Sequence, residues 1–255
     1  MMKNFRTTLL AMLCCVTSAH AASQIHVFKP TRDATIFEDE PAVASGAGDR
    51  LFAGVTANGL ARRALLFFDL SGIPAGSQVV SAELALVADR AVGADNPMSL
   101  HRLLADWGEG LSNGGAVGSG AGAGAGDVTW TFRFFADETR KWASEGGDFE
   151  PVPSATAVVG TIGTYRWTST DSPGLLADVQ SWIDAPESNL GWLLIGDEGS
   201  PDRSAKRFFS REYLVPSDRP YLRVEVVPVP EPSALAMLGI GAGLVGVWGR
   251  RRRGS

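Results

Sequence analysis

Four arginines and a scatter of carboxylates are the residues of this sequence whose types could do chemistry at a site. Arg62 and Arg63 stand side by side, and Arg207 and Arg211 follow much later. Guanidinium groups gathered on one sheet face would hold carboxylated sugars through paired N–H donors. The same arginines could instead pair with Asp69, Glu83 or Glu212 at the rim of a core, the usual state of charge beside buried apolar surface. Asp33, Glu38, Asp39, Asp197 and Glu198 offer the kind of oxygens that Ca²⁺ needs. They show no EF-hand-type spacing, so solvated loop carboxylates are the expected reading and no cofactor is assigned.

For catalysis the inventory is thin. Outside the N-terminal segment the histidines are His26 and His101, far apart, and neither Gly-x-Ser-x-Gly nor His-Glu-x-x-His occurs. Paired carboxylates such as Asp106 and Glu109 would suit a glycosidase, but acidic pairs in loops are common, so a non-enzymatic protein is expected. Trp107, Trp130, Trp142 and Trp167 could stack on sugar rings. Tryptophans beside apolar strands belong more often to the core.

The elements that must position these residues read as strands. Ala64–Leu70 and Val79–Ala88 are apolar runs separated by Ser71, Gly72, Pro74 and Gly76. Leu66, Phe68 and Leu70 share one face of the first; Leu84, Leu86 and Ala88 share one face of the second. This pair is read as two strands of a half-buried sheet at the centre of a sandwich. Further strands are expected at Gln24–Phe28, Asp33–Phe37, Leu51–Val55, Met98–Leu104, within Ala155–Trp167, and at Gly191–Gly196, Arg207–Tyr213 and Tyr221–Val227. Leu175, Leu176, Val179, Trp182 and Ile183 recur at helical spacing between Pro173 and Pro186. Residues 113–126, almost entirely Gly, Ala and Ser, read as a flexible loop. The pattern gives an all-β fold, an antiparallel jelly-roll-like β-sandwich with one short helix, over residues 22–227.

The two ends differ from this body. A basic start, the apolar run Thr8–Val16 and Ala19-His20-Ala21 make residues 1–21 a secretory signal peptide for signal peptidase. Both cysteines, Cys14 and Cys15, fall inside it, so the mature domain would rely on its packed core rather than disulfides. At the other end Pro230-Glu231-Pro232 precedes an apolar stretch, 233–249, near the short limit for a membrane span. Arg250, Arg251, Arg252 and Arg253 then place the C-terminus in the cytoplasm. Gly241-Ala-Gly243-Leu-Val-Gly246 satisfies a dinucleotide-binding string, but no βαβ unit can follow it. The net charge of −5 gives no sign of nucleic-acid binding.

Two resemblances follow from these residues. The tail, residues 228–255, resembles the PEP-CTERM sorting signal: Pro230-Glu231-Pro232, a marginal transmembrane helix and the arginine cluster, in that order. The resemblance implies an exosortase partner and delivery to the surface or extracellular matrix of a Gram-negative bacterium. It also implies transient inner-membrane anchoring and an association with exopolysaccharide and biofilm. The body resembles DNRLRE-domain proteins through Asp33-Ala34-Thr35-Ile36, Arg62-Arg63-Ala64-Leu65-Leu66, Trp107-Gly108-Glu109-Gly110, Asp127-Val128-Thr129-Trp130, Gly146-Gly147-Asp148-Phe149 and Phe209-Ser210-Arg211-Glu212. That resemblance implies a generally non-catalytic β-sandwich, in some members similar to carbohydrate-binding modules. Phe67 stands where the family often has Arg, which implies a weaker basic face. The expectation is a secreted protein that binds extracellular polysaccharide, acidic in character if the arginines serve it. Its alternatives are a polysaccharide-degrading enzyme and a purely structural matrix protein.

Overall fold

The computed structural model describes residues 22–228, apart from 39, 200 and 201. Residues 1–21, read above as a signal peptide, the sorting motif, the apolar stretch 233–249, the terminal arginines and Asp39 lie outside the described residues. Among those described, no helix is long and apolar enough to cross a membrane.

The strands run in chain order as β1 (Gln24–Phe28), β2 (Arg32–Phe37), β3 (Val43–Ser45), β4 (Arg50–Val55), β5 (Ala61–Phe67), β6 (Gln78–Ala91) and β7 (Asn96–Arg102). There follow β8 (Ala121–Gly122), β9 (Ala155–Val159), β10 (Gly163–Thr168), the helix α1 (Pro173–Asp184), β11 (Trp192–Ile195), β12 (Lys206–Phe209) and β13 (Tyr221–Val227). The strand pairs are antiparallel, along the open path β1-β13-β6-β12-β4-β5-β11-β7-β9.

Strand β4 joins the two halves of this path. Its Arg50–Ala53 part pairs with β12, and Gly54 and Val55 pair with β5. At the changeover Gly54 has φ +106°, and a Cβ there would lie 2.7 Å from the carbonyl oxygen of Ser204. Only glycine takes that conformation at so close an approach without strain.

Alternation assigns the faces. Ala64 and Leu66 of β5, Leu84 and Leu86 of β6, Leu100, Leu194, Phe208 and Val224 meet in one core between the two halves, giving a sandwich-like fold. Strands β5 and β6 do not pair. β5 is bonded to β2, β4 and β11, and β6 to β10, β12 and β13, so the two apolar runs read as neighbours in one sheet contribute to the core from different sets of partners. Period-2 spacing reports a strand's faces but not its partners.

Nor is β5 half-buried. Leu65, on its other face, packs with Leu193, Ile36, Trp107, Trp130 and Trp142 in a second core. The segment between β7 and β9 supplies that cover. Trp107 donates from Nε1 to the carbonyl of Leu190 and Trp142 to that of Thr129, while Trp167 fills the main core. All four tryptophans singled out in the sequence are buried.

The helix forms where the spacing places it. Pro173 opens it, Leu175, Val179, Trp182 and Ile183 are buried, and Pro186 follows its end. Gln180 fastens it to the start of β6, accepting from the N–H of Val79 at 2.8 Å and donating to the carbonyl of Ser77 at 3.1 Å.

Candidate binding groove

The outer face of β4, β12 and β6 carries a row of side chains across three strands. Arg207 lies opposite Phe52 on one side and opposite Arg90 on the other. Arg90 should not be there by parity: two residues beyond Ala88, it would share the core face with Leu84 and Leu86. The register shifts at this point, with Phe208 opposite Ala88 and Arg207 opposite Arg90, so Asp89 is an extra residue in β6. A bulge of this kind re-aims the side chains that follow it. It turns Arg90 outward, where it is exposed, and sets Asp89 beside its neighbours' guanidinium groups.

Asp89 receives two arginines. Arg207 donates from Nε to Oδ1 at 2.7 Å and from Nη2 to Oδ2 at 3.0 Å, and Arg50 donates from Nε to Oδ2 at 2.8 Å. Burial opposes ionisation of Asp89, but the hydrogen bonds and charges of Arg207 and Arg50 outweigh it and hold the carboxyl below the usual range.

The glycine-rich segment forms one wall. Its β8 pairs with β3. The carbonyl of Ala116 accepts from Arg207 Nη1 at 2.6 Å, and that of Gly118 accepts from Arg62 Nε at 3.5 Å. Gly118 has φ +78°, and a Cβ on it would lie 2.8 Å from the ring of Phe52. The backbone lies close enough to the sheet to present carbonyls to both arginines because that side chain is missing.

The resulting groove encloses about 210 Å³ and is lined by Phe52, Val117, Gly118 and the basic residues Arg62, Arg90, Arg203, Lys206 and Arg207. Among the described residues that line it, none is acidic. Lys206 is committed to the carbonyls of Val92 and Ala94, and burial pushes its ammonium below the usual lysine value. Arg90 and Arg203 are exposed, and among the described residues neither has a carboxylate partner. Two cationic groups therefore face solvent above a partly apolar floor.

The four arginines of the sequence reading do not form one cluster. Arg62 and Arg207 line this groove, and Arg90 and Arg203 join them without having been singled out. Arg63, on the opposite face of β5, sits over Trp130 with two hydrogen bonds to Glu198 of 2.7 and 2.6 Å and a third to the carbonyl of Gly146. Arg211 belongs to a separate charged group. It donates to both oxygens of Glu109 at 2.7 and 2.9 Å and pairs with Glu212 at 2.8 Å.

The proposed Ca²⁺ carboxylates are dispersed. Glu38 accepts from the N–H of Ala61, Asp197 from Asn96, and Glu198 from Arg63. Asp33 instead meets Glu109 and Glu212, with one oxygen from each of the three lying within 4.8 Å of the others. Asp33 is fully buried; its Oδ2 accepts from the N–H of Arg211, and its Oδ1 has no hydrogen-bond partner. Burial, then repulsion from Glu212, pushes its carboxyl well above the usual carboxylate range, against the backbone N–H of Arg211. Asp106, the other half of the glycosidase-like pair, is bound to Arg32. His26 and His101 sit on β1 and β7.

Comparison with known families places the C-terminal segment. Residues 228–253 match the PEP-CTERM protein-sorting motif. The match takes in Pro230, Glu231, Pro232 and the terminal arginines, and supports an exosortase-targeted protein exported to the cell surface. No family match covers the DNRLRE-like body, whose all-β sandwich-like architecture agrees with that resemblance at the level of the fold. Among curated proteins none matches the chain.

Proposed function

We propose that this protein is processed by an exosortase at its C-terminal segment, and that its sandwich binds acidic extracellular polysaccharide without catalysing its breakdown. The observation that carries the binding reading is the groove of Arg62, Arg90, Arg203 and Arg207, with Phe52 among its lining residues and no carboxylate among those described. Guanidinium groups suit the planar carboxylates of uronic acids. The groove is smaller than the usual small-molecule pocket of about 300–1,000 Å³, which suits a polymer lying across it rather than an enclosed substrate. Against catalysis, Asp106 and Glu109 are each committed to an arginine, Arg32 and Arg211.

The test is titration of the purified protein with a uronate polymer and with an uncharged glucan. Binding to the uronate polymer alone, weakening as salt rises through about 0.1 M, is the expected result. Equal binding to both, or none to either, rejects the reading, and the second outcome leaves a purely structural matrix protein. Release of oligosaccharides from the polymer would turn the assignment to a degrading enzyme. Mass spectrometry of protein from the native host checks processing: an intact Ser255 terminus on the surface form rejects cleavage.

A further inference from the structure

The group formed by Asp33, Glu109, Arg211 and Glu212 is distinct from the groove and independent of its reading. Its members come from distant parts of the chain: Asp33 from β2, Glu109 from the segment after β7, and Arg211 and Glu212 from the turn after β12. Three carboxylates face one guanidinium, an excess of two negative charges if all are ionised. Glu109 and Glu212 expose only 15% and 22% of their side chains, and Asp33 none. An uncompensated charge excess of this kind is expensive away from water. The second observation is the orphan oxygen. Asp33 Oδ1 has no donor in a fold that supplies a donor to its other oxygen, and a buried acceptor is ordinarily satisfied.

We propose that Asp33, Glu109 and Glu212 bind a hard divalent cation of the Ca²⁺ class, which completes the charge balance and ties β2, the Trp107–Gly110 turn and the turn after β12 together. The geometry suits the ion. Calcium holds oxygens at about 2.3–2.6 Å, so its shell is about 4.6–5.2 Å across, and the three carboxylate oxygens lie within 4.8 Å of one another. Arg211 and the N–H of Asp33 occupy Glu109 Oε1, Arg211 also bonds Glu109 Oε2 and Glu212 Oε1, and the Ser210 hydroxyl bonds Glu212 Oε2. These contacts fix both carboxylates and leave a lone pair on Glu109 Oε2 and on each Glu212 oxygen for the metal. An ion bound here would do for this exported chain what a disulfide does for others, joining segments remote in sequence.

The test uses purified full-length protein stripped with EDTA and titrated with CaCl₂ alone, read by calorimetry and thermal melting. One Ca²⁺ per chain is expected, with Tm raised by about 5 °C or more at saturation. Asp33→Asn and Glu212→Gln should each lose the calorimetric heat and the Tm rise, while Arg203→Ala, in the groove, retains both. Should Asp33→Asn fail to fold, Glu212→Gln at the rim of the group carries the same comparison. Absence of Ca²⁺ heat together with a Tm indifferent to EDTA overturns the proposal. So does stoichiometric binding that survives Glu212→Gln undiminished, because the ion would then sit elsewhere.

Discussion

Asp89 holds Arg207 through two hydrogen bonds, Nε to Oδ1 at 2.7 Å and Nη2 to Oδ2 at 3.0 Å, from a position created by a bulge. The bond orients a groove cation and also draws on its charge. Asp89→Asn removes the charge from a site shared with Arg50, where both side chains are largely buried. Stability should fall by about 1–3 kcal/mol. Affinity for a uronate polymer should stay level or rise, because Arg207 is released to the ligand. Urea denaturation and polymer binding on the same variant check this, and parallel losses in both would count against the groove.

Arg90 and Arg203 should behave in the opposite way. Among the described residues neither holds a carboxylate, so Arg90→Ala and Arg203→Ala should leave stability within about 0.5 kcal/mol. Each should weaken uronate binding several-fold and flatten its dependence on salt. Unchanged affinity in the double variant would remove the groove from the argument.

Arg63 provides the reverse control. Its guanidinium lies between Glu198 and the rings of Trp130 and Phe149, on the face of β5 away from the groove. Arg63→Ala strands Glu198 and opens the second core, and should cost about 3 kcal/mol in chemical denaturation. Polymer binding by the folded fraction should be unchanged.

These contrasts show what the sequence could and could not disclose. Leu66 with Phe68, and Leu84 with Leu86, announce their faces because a strand alternates, and Leu175 to Ile183 announce a helix by the same logic. Alternation alone separates Arg62 from Arg63, so a single cluster of all four arginines was already in conflict with the strand reading. The outward turn of Arg90 depends on one extra residue in β6, and nothing in Ala88-Asp89-Arg90 marks a bulge. The wall from Ala116 to Gly118 is made of carbonyls, which composition cannot show. Asp33, Glu109 and Glu212 meet only because β2 and the turns after β7 and β12 converge. Their spacing in the chain carries no trace of that.

Gly54→Ala tests the strand that joins the two halves of the fold. Alanine must adopt φ near +106° with its Cβ 2.7 Å from the Ser204 carbonyl. That carbonyl is backbone, next to the Ser204 hydroxyl that accepts from the N–H of Val55 at 2.9 Å, so it has little room to retreat. A loss of about 2 kcal/mol or more is expected in denaturant unfolding. A change below about 0.5 kcal/mol would mean that the β12–β4–β5 junction yields easily.

The last prediction concerns His101, which is 7% exposed on β7. Its Nδ1 lies 2.8 Å from the carbonyl oxygen of Glu150, so that nitrogen carries the proton of the neutral ring, and the ring packs edge-to-face on Phe149 with centroids 5.1 Å apart. Burial pushes its pKa below the usual histidine value; the bond to Glu150 opposes this, and the positive charge of Arg63 reinforces it. As pH falls through about 6.5 the unfolded chain therefore takes up a proton that the folded chain still refuses. The unfolded state is favoured over that interval, so stability contributed by His101 is complete above about 6.5 and declines as the solution is acidified. The decline stops once the folded ring also titrates. His101→Asn keeps a donor near the Glu150 carbonyl and removes the titration. Denaturation free energies for the two proteins, compared between about pH 7.5 and pH 5, should diverge in slope, with the native chain steeper. An NMR titration should place the native ring below the free imidazole value. Parallel slopes, or a ring that protonates at the free value, would show that the packing against Phe149 leaves His101 open to water.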